Sequence, residues 1–218
     1  MFVGHTALAL AAKRRAPEVS LGWLLGATIL LDLVSPVLLA LRFEKVEIGS
    51  TEPSFVRMTF LEYPWSHSLA VAVGYGAIVF GLARWRRVPP GSALLLGALV
   101  VSHWVLDFIS HVPDMPLWPG DSPKLGLGLW TSIPLTFAVE GTLFIAGIWL
   151  YVSATRAKDK IGIFALWGFL LIQTVMWATS PWGAAPPSLT ALGVMILVVE
   201  LIFLAWVGWA DRHRESIQ

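Results

Sequence analysis

Six long apolar runs constrain the fold of this chain more than any other feature of its sequence. An α-helix rises 1.5 Å per residue, so about 20 apolar residues cross the ~30 Å hydrocarbon core of a bilayer. Backbone polar groups inside a bilayer must bond to one another, which favours helices. The composition agrees, since 56% of the 218 residues are hydrophobic and only 13% are charged. The sequence predicts an all-α, polytopic membrane bundle that forms a single transmembrane domain over residues 1–218. The six predicted spans are residues 21–41, 69–85, 93–109, 133–152, 161–178 and 189–210.

Basic residues lie in short clusters between the apolar runs rather than along one face, which gives no reason to expect a nucleic-acid partner. If the six spans alternate, all four clusters fall on one side of the membrane, and the positive-inside rule assigns that side to the cytoplasm. The C-terminus is then cytoplasmic, and the expected location is a bacterial inner membrane or an archaeal plasma membrane. The clusters are residues 13–15, 84–87, 156–160 and 212–214.

Two segments outside the six spans have their own predicted roles. Residues 2–12 are apolar but too short to cross a bilayer, so we expect a partly inserted helix that lies behind other helices. Basic residues follow this stretch instead of preceding it, which is the reverse of a signal peptide, so it is expected to be retained. Residues 110–132 are rich in proline and glycine, which predicts an ordered loop that could form a lid or the mouth of a site.

The third span carries His103, Asp107 and His111 at steps of four residues. Each step turns the helix by 400°, so the three side chains share one face. His103 and His111 are about 12 Å apart along the axis, too far for two ligands of one ion with bonds of about 2.0 to 2.2 Å. Two arrangements remain. Either His103 and Asp107 hold one ion while His111 binds a second or acts from the outer shell, or Asp107 bridges two ions about 3.5 to 4 Å apart.

Further ionisable groups lie at membrane depth, where each costs at least ~2.5 kcal/mol and is therefore usually paired or functional. Helical rise places His5, Asp32 and His67 near the depth of His103 and Asp107, which predicts one shared metal site. The chain has no cysteine, so any ion must be bound by imidazole and carboxylate. These ligands suit one or two zinc ions, with manganese or iron as alternatives.

Four other ionisable residues have predicted roles. Glu140 and Asp114 are the candidate catalytic residues, as acceptors of the proton released from water. Glu200 lies in the middle of the last span and is expected to make a structural hydrogen bond or salt bridge. His213 lies among charged residues near the C-terminus and is expected to be a solvated surface group.

Serines flank two of the histidines, which raises the possibility of a Ser–His–Asp triad. Ser66 and Ser68 adjoin His67, and Ser102 precedes His103. Adjacent positions of a helix point about 100° apart, so a nucleophile and its base are not expected from these neighbouring pairs.

Four short elements resemble a known family: GHTALA at residues 4–9, GATILLD at 26–32, WSHSL at 65–69 and SHWVLD at 102–107. They resemble the YdjM-like family of LexA-regulated, membrane-bound metal-dependent hydrolases (the DUF457 group), with a more distant similarity to zinc-dependent phospholipase C. The resemblance covers roughly the first half of the chain and implies a multi-pass helical protein with a metal site. Carried over by position, it implies polar site residues at His5, Asp32, His67, His103 and Asp107.

Together these features predict a membrane-embedded metal-dependent hydrolase of an ester or phosphoester, with membrane lipid as the natural substrate class. A bound ion would lower the pKa of water to about 7 and polarise the scissile group. A divalent-metal or proton-coupled transporter that uses the same residues as a transit site is the alternative, and a structural site that clamps helices is a third possibility. The candidate ligands crowd the first half of the chain and no repeat is visible, which favours the hydrolase.

Overall fold

The computed structural model of the protein describes residues 1–49, 55–56, 58–184 and 186–217. Helices dominate these ranges, and three antiparallel pairs of short strands join the loops between them. The helices are α1 (Phe2–Ala12), α2 (Leu21–Thr28), α3 (Leu30–Ala40), α4 (Pro64–His67), α5 (Leu69–Trp85), α6 (Pro90–Ser110), α7 (Ile133–Ala154), α8 (Lys160–Thr179) and α9 (Leu189–Arg212). The strand pairs are β1 (Lys45–Ile48) with β2 (Met58–Glu62), β3 (Met115–Pro116) with β4 (Lys124–Leu125), and β5 (Thr155–Ala157) with β6 (Arg214–Ser216).

Four helices, α6 to α9, are each long and apolar enough to cross a membrane. The pair α2 and α3 makes a fifth candidate if it counts as one bent span, and α5 is apolar but only 17 residues long. Large apolar side chains such as Ile145, Phe164 and Leu201 point outward, as expected of a surface that faces lipid. The predicted all-α class is therefore confirmed, and the chain is compatible with an integral membrane protein. The described helices give four to five candidate spans rather than the six that the sequence predicts.

The first predicted span is interrupted at Ile29. Helices α2 and α3 meet there at an angle of 53°, and Ile29 leaves the helical region with φ −107° and ψ 13°. Neither glycine nor proline occupies the break. Instead, Nδ1 of His103 lies 2.7 Å from the carbonyl oxygen of Thr28. A side chain that enters the backbone hydrogen-bond ladder is a known cause of a kink, so we attribute the break to this contact. The break places Asp32 in the first turn of α3.

The short N-terminal helix α1 forms over the predicted residues and lies inside the bundle. Most of its side chains are buried, although it has no amphipathic pattern, because other helices surround it. Helix α7 approaches it closely at Gly147, where an added Cβ would lie 2.5 Å from the carbonyl oxygen of Ala7. This close packing fixes the height of His5 relative to α7.

The basic clusters gather at one end of the bundle. Lys13, after α1, bonds to Asp211 near the end of α9 at 2.8 Å. Ser92, near the start of α6, donates a hydrogen bond to Glu18. Strands β5 and β6 pair the segments that follow α7 and α9. The strands β1 to β4 belong to the connections that leave the other end.

Candidate metal centre

Five of the six residues predicted to bind metal come together from four elements, and His111 does not join them. His5 comes from α1, Asp32 from α3, His67 from the end of α4, and His103 and Asp107 from successive turns of α6. They form two overlapping groups that could hold a metal ion, one of His5, His103 and Asp107 and one of Asp32, His67 and His103. Within each group, one ligand atom from every residue lies within 4.8 Å of the others. All are buried except Asp32, whose side chain is 38% exposed.

Four ligand atoms form a closed ring of alternating nitrogen and oxygen, which we call the ligand ring. Going round it, the distances are 3.5 Å from His67 Nε2 to Asp32 Oδ1 and 3.6 Å from there to His103 Nε2. The ring closes with 3.0 Å from His103 Nε2 to Asp107 Oδ2 and 3.7 Å from there back to His67 Nε2. A tetrahedral ion with bonds of about 2.0 to 2.1 Å requires ligand atoms about 3.3 Å apart. The four edges of the ligand ring, 3.0 to 3.7 Å, are close to this spacing.

His103 directs a lone pair at the centre of the ligand ring. The Thr28 carbonyl oxygen beside its Nδ1 can only accept a hydrogen bond, so Nδ1 carries the ring proton and Nε2 is unprotonated in the neutral ring. Nε2 is buried without a hydrogen-bond partner, although Asp107 Oδ2 lies 3.0 Å away. Two acceptors held this close repel each other unless a cation or an additional proton lies between them. The geometry fits a bound metal ion.

A chain of hydrogen bonds orients His67 in the same way. Glu44 accepts a bond of 2.7 Å from the backbone N–H of Ser66 and contacts of 2.8 and 2.9 Å from the Ser66 hydroxyl. Because the hydroxyl gives its proton to Glu44, Ser66 Oγ accepts a bond from His67 Nδ1 at 2.6 Å. The Nε2 lone pair of His67 therefore faces the carboxylates of the ligand ring. Outer partners of this kind fix the orientation of metal-binding imidazoles and raise their basicity.

The contact between Ser66 and His67 corrects the expectation that these neighbours could not meet. Helix α4 is one turn that ends at His67, and Ser68 is extended with φ −83° and ψ 148°, so the angular spacing of a continuous helix does not apply. Ser66 is nevertheless fully buried and is not among the described residues that line the cavity beside the metal centre, so a substrate there does not reach its hydroxyl. Glu44 was missed as a site residue because it lies in a polar stretch where no spacing marks it.

His5 contacts the other oxygen of Asp107. Its Nε2 lies 3.2 Å from Asp107 Oδ1, and its ring stacks on that of His103 with the centroids 3.9 Å apart. The amino group of Met1 also hydrogen-bonds to Asp107 Oδ1 and lies 3.1 Å from His5 Nε2. Asp107 Oδ1 is therefore already bonded to two nitrogen atoms. The ligand ring, on the other oxygen of Asp107, is the better-placed position for an ion.

His111 lies outside both metal-binding groups. Helix α6 ends at Ser110, and although the His111 N–H still bonds to the Asp107 carbonyl oxygen at 2.7 Å, the His111 ring contacts Asp114 instead of the ligand ring. His111 Nδ1 lies 3.1 Å from Asp114 Oδ1, which accepts a 2.6 Å hydrogen bond from the Tyr63 hydroxyl. Burial and the neighbouring Asp114 carboxylate raise the pKa of Tyr63 above its usual range, so the hydroxyl keeps its proton. The three residues form a separate polar group beside the metal centre.

Glu140 holds the start of α1 in place. One oxygen accepts a 2.9 Å bond from the Val3 backbone N–H and the other a 3.0 Å bond from Trp130 Nε1. The residue is fully buried and is not among the described residues that line the cavity beside the metal centre. This geometry suits a positioning role better than that of a proton acceptor.

A cavity of about 340 Å³ adjoins the ligand ring. Asp32, His67, Asp107 and His111 form part of its wall, and the rest is mainly apolar, contributed by α3, α8, α9 and the β1–β2 hairpin. Glu200 of α9 also lines the cavity. In the described ranges it has no hydrogen-bond or ion-pair partner, which differs from the structural bond that the sequence led us to expect.

The hydrogen bonds that Glu44 accepts from Ser66 lead to a first prediction about metal affinity. Replacement of Glu44 by glutamine weakens the acceptor that orients Ser66 and His67, and loss of such outer partners typically costs 10- to 100-fold in metal affinity. We expect at least about a tenfold loss in a competition titration against a chelator. Glu47, exposed on the same hairpin, is the matched control, and E47Q should bind metal like the wild type. Equal affinities for E44Q and E47Q would remove Glu44 from the site.

The fold and the site together define a class of protein: an all-α chain, compatible with an integral membrane protein, in which a buried His and Asp group could hold a metal ion. Comparisons of this chain with family models, with curated proteins and with solved structures found no match. A functional assignment therefore has to be argued from the geometry of the site.

Proposed function

We propose that this protein is a membrane-embedded, metal-dependent hydrolase that cleaves an ester or phosphoester bond of a lipid. The observation that supports this most is the ligand ring, in which two imidazole lone pairs face two carboxylates inside the protein. Such a group is costly to bury without a compensating charge, and a divalent cation supplies that charge. The resemblance to the YdjM-like hydrolases, carried by the same residues, agrees with the proposal.

The ligand ring is proposed to bind zinc, with manganese or iron as alternatives. Imidazole and carboxylate ligands suit zinc, and the edges of the ligand ring are close to the ligand spacing of a tetrahedral ion. His5, through its contact with Asp107 Oδ1, either supports this ion from outside or takes part in binding a second one. His111 acts from the outer shell, since Asp114 holds its Nδ1.

Residues around the cavity supply the remaining steps of hydrolysis. When bound, a divalent ion lowers the pKa of water to about 7 and polarises an ester or phosphoester oxygen. Asp32 is the exposed member of the ligand ring on the cavity side, so the substrate would approach beside it. With Nδ1 turned to Asp114, the other nitrogen of His111 can exchange a proton with the cavity. Of the two predicted proton acceptors we therefore retain Asp114, acting through His111, and assign Glu140 to positioning.

The proposed membrane arrangement has six spans, in which α2 with α3 forms one bent span and α5 a short one. The end that gathers the basic clusters is then cytoplasmic. The cavity lies toward the opposite end, because the hairpin residues Val46, Met58 and Phe60 help to line it. A lipid of the outer leaflet could then enter from the side.

The hydrolase proposal is tested with purified protein in lipid nanodiscs and a panel of lipids that carry ester and phosphodiester bonds. Mass spectrometry should detect cleavage of at least one lipid, loss of cleavage with a chelator, and recovery with zinc. The Asp32→Asn variant should be slower by about ten- to a hundredfold, since it weakens the ligand nearest the substrate. The E47Q variant is the control. Metal-loaded protein that cleaves no lipid of the panel would refute the proposal.

A divalent-metal transporter is the second candidate, and the break between α2 and α3 is the observation that favours it. Discontinuous helices often build the ion sites of transporters, and Asp32 follows the break directly. Reconstituted liposomes separate the two functions. Zinc flux that depends on Asp32, without any lipid cleavage, would favour the transporter.

A further inference from the structure

Glu200 is an acidic residue in the wall of a largely apolar cavity, and it makes no hydrogen bond or ion pair with any other residue that the structure describes. It lies in α9 between Val199 and Leu201, in a helix long enough to cross the membrane. A carboxylate at this depth costs about 2.5 kcal/mol or more unless a neighbouring group compensates for it. The amino group of Met1 bonds to Asp107 instead. The Glu200 carboxylate is therefore available to a ligand in the cavity.

Gln173 of α8 also lines the cavity. Its side chain donates a 2.9 Å hydrogen bond from Nε2 to Thr6 Oγ1, and the buried Oε1 has no hydrogen-bond partner within the described ranges. The residue is only 6% exposed. Buried polar atoms without partners are rare in folded proteins. Because Glu200 and Gln173 both offer acceptors, the cavity selects a ligand that donates hydrogen bonds.

The charge of the cavity wall further restricts the class of ligand that can bind. Neither lysine nor arginine is found among the cavity-lining residues in the described part of the chain. A divalent ion in the ligand ring would lie between Asp32 and Asp107, and Glu200 makes no ion pair with another described residue. A protonated amine satisfies both a carboxylate and an amide oxygen, because it is positive and carries several donors.

The remaining wall fits an apolar chain. It is formed mainly by side chains of α3, α9 and the β1–β2 hairpin, and the volume of about 340 Å³ lies at the lower end of the ~300 to 1,000 Å³ typical of ligand pockets. A ligand with one apolar chain and one polar group suits a cavity of this volume. The apolar residues include Pro36, Leu39, Met176, Leu192, Val199 and Phe203.

We infer that the cavity binds an amphiphile with one apolar chain and a protonated amine, and that Glu200 pairs with the amine while Gln173 Oε1 accepts a further hydrogen bond. If the amphiphile is the substrate of the hydrolase, that substrate is an amine-bearing lipid, and this part of the inference rests on the proposed function. Binding of the amine at Glu200 does not depend on catalysis.

Photolabelling in phosphatidylcholine nanodiscs tests the inference. The probes are a long-chain alkylamine with a diazirine near the end of its chain and the alcohol of the same length. We expect the amine probe to label cavity residues of α8 and α9, and its labelling of Glu200→Gln to fall about tenfold, as for the loss of a hydrogen bond to a charged group. The alcohol should label both proteins equally. Glu200→Asp should keep the preference for the amine, and Glu215→Gln, at an exposed ion pair with Arg156, is the matched control.

Each other outcome overturns a stated part of the inference. Equal labelling of wild type and E200Q by the amine probe removes Glu200 from the site. Competition by butylamine as strong as that by dodecylamine shows a site for free amines and removes the apolar chain. If E200Q does not fold, Gln173→Leu takes its place, and unchanged amine labelling of that variant contradicts the pairing with two acceptors.

Metal analysis of the same samples separates this inference from the proposed function. Wild-type protein that binds the amine probe but no metal would refute the hydrolase and leave the amine site intact. An E200Q variant that loses its metal would make Glu200 a ligand of the ion, and would overturn the inference while the metal site stands.

Discussion

Replacement of His103 by alanine is expected to lower the affinity for zinc by at least about a hundredfold. His103 is shared by both metal-binding groups and is fully buried. Structural zinc sites bind with ~10 to 16 kcal/mol, so one ligand of four contributes about 3 kcal/mol, which corresponds to more than a hundredfold. Metal content by mass spectrometry and a chelator competition titration measure the effect. Wild-type protein should carry at least one ion per chain after purification with zinc.

Two further variants test whether the loss of zinc affinity is specific to the metal ligands. His103 also bonds to the Thr28 carbonyl, so H103A could act through the break between α2 and α3. His67→Ala leaves that bond in place and should lose zinc affinity to a similar degree. His213→Ala is the control, because His213 bonds to Asp159 at the opposite end of the bundle. Wild-type zinc affinity in both H103A and H67A would exclude the ligand ring as a metal site.

The sequence predicted the residues of the site better than the path that brings them together. Steps of four on one helix put His103 and Asp107 on one face, and helical rise put Asp32 and His5 at the same depth. These are local properties of a helix, so they can be read from spacing alone. The orientation of each ring depends instead on groups that are distant in sequence. Glu44, which sets the tautomer of His67 through Ser66, could not be found by spacing.

Side-chain hydrogen bonds also occur at the two places where the fold departs from the sequence prediction. The apolar run at residues 21–41 reads as one span, yet a hydrogen bond from α6 coincides with its break at Ile29. His111 continues the spacing of α6, yet the helix ends one residue before it and Asp114 holds its ring. At the break the partner of Thr28 is distant in sequence, whereas Asp114 is only three residues from His111 and accepts a further bond from Tyr63. Hydropathy carries no information about either contact. The long helices α6 to α9, which depend on apolar length alone, were predicted to within a few residues.

Removal of the Asp211 carboxylate is expected to destabilise the protein by about 3 to 5 kcal/mol, the usual cost of breaking a buried ion pair. Asp211 Oδ2 lies 2.8 Å from Lys13 Nζ, and both side chains are less than a tenth exposed. The same carboxylate accepts bonds from the Leu21 backbone N–H at 3.0 Å and from the Tyr151 hydroxyl at 2.7 Å. Asp211→Ala leaves the ammonium group of Lys13 buried with the Val19 carbonyl as its remaining acceptor. Unfolding in mixed micelles measures the loss.

A double variant shows whether the unpaired charge causes this loss. Lys13→Met combined with Asp211→Ala removes both charges, so it should be more stable than Asp211→Ala alone, although the bonds from Leu21 and Tyr151 are lost in both. If the double variant is as unstable as the single one, the ion pair contributes nothing and the neutral hydrogen bonds account for the effect. The same pair fixes the end of α1, whose other end carries His5. Asp211→Ala should therefore also weaken the hold of His5 on Asp107, whereas the double variant, with no buried charge to expel, should keep α1 in place.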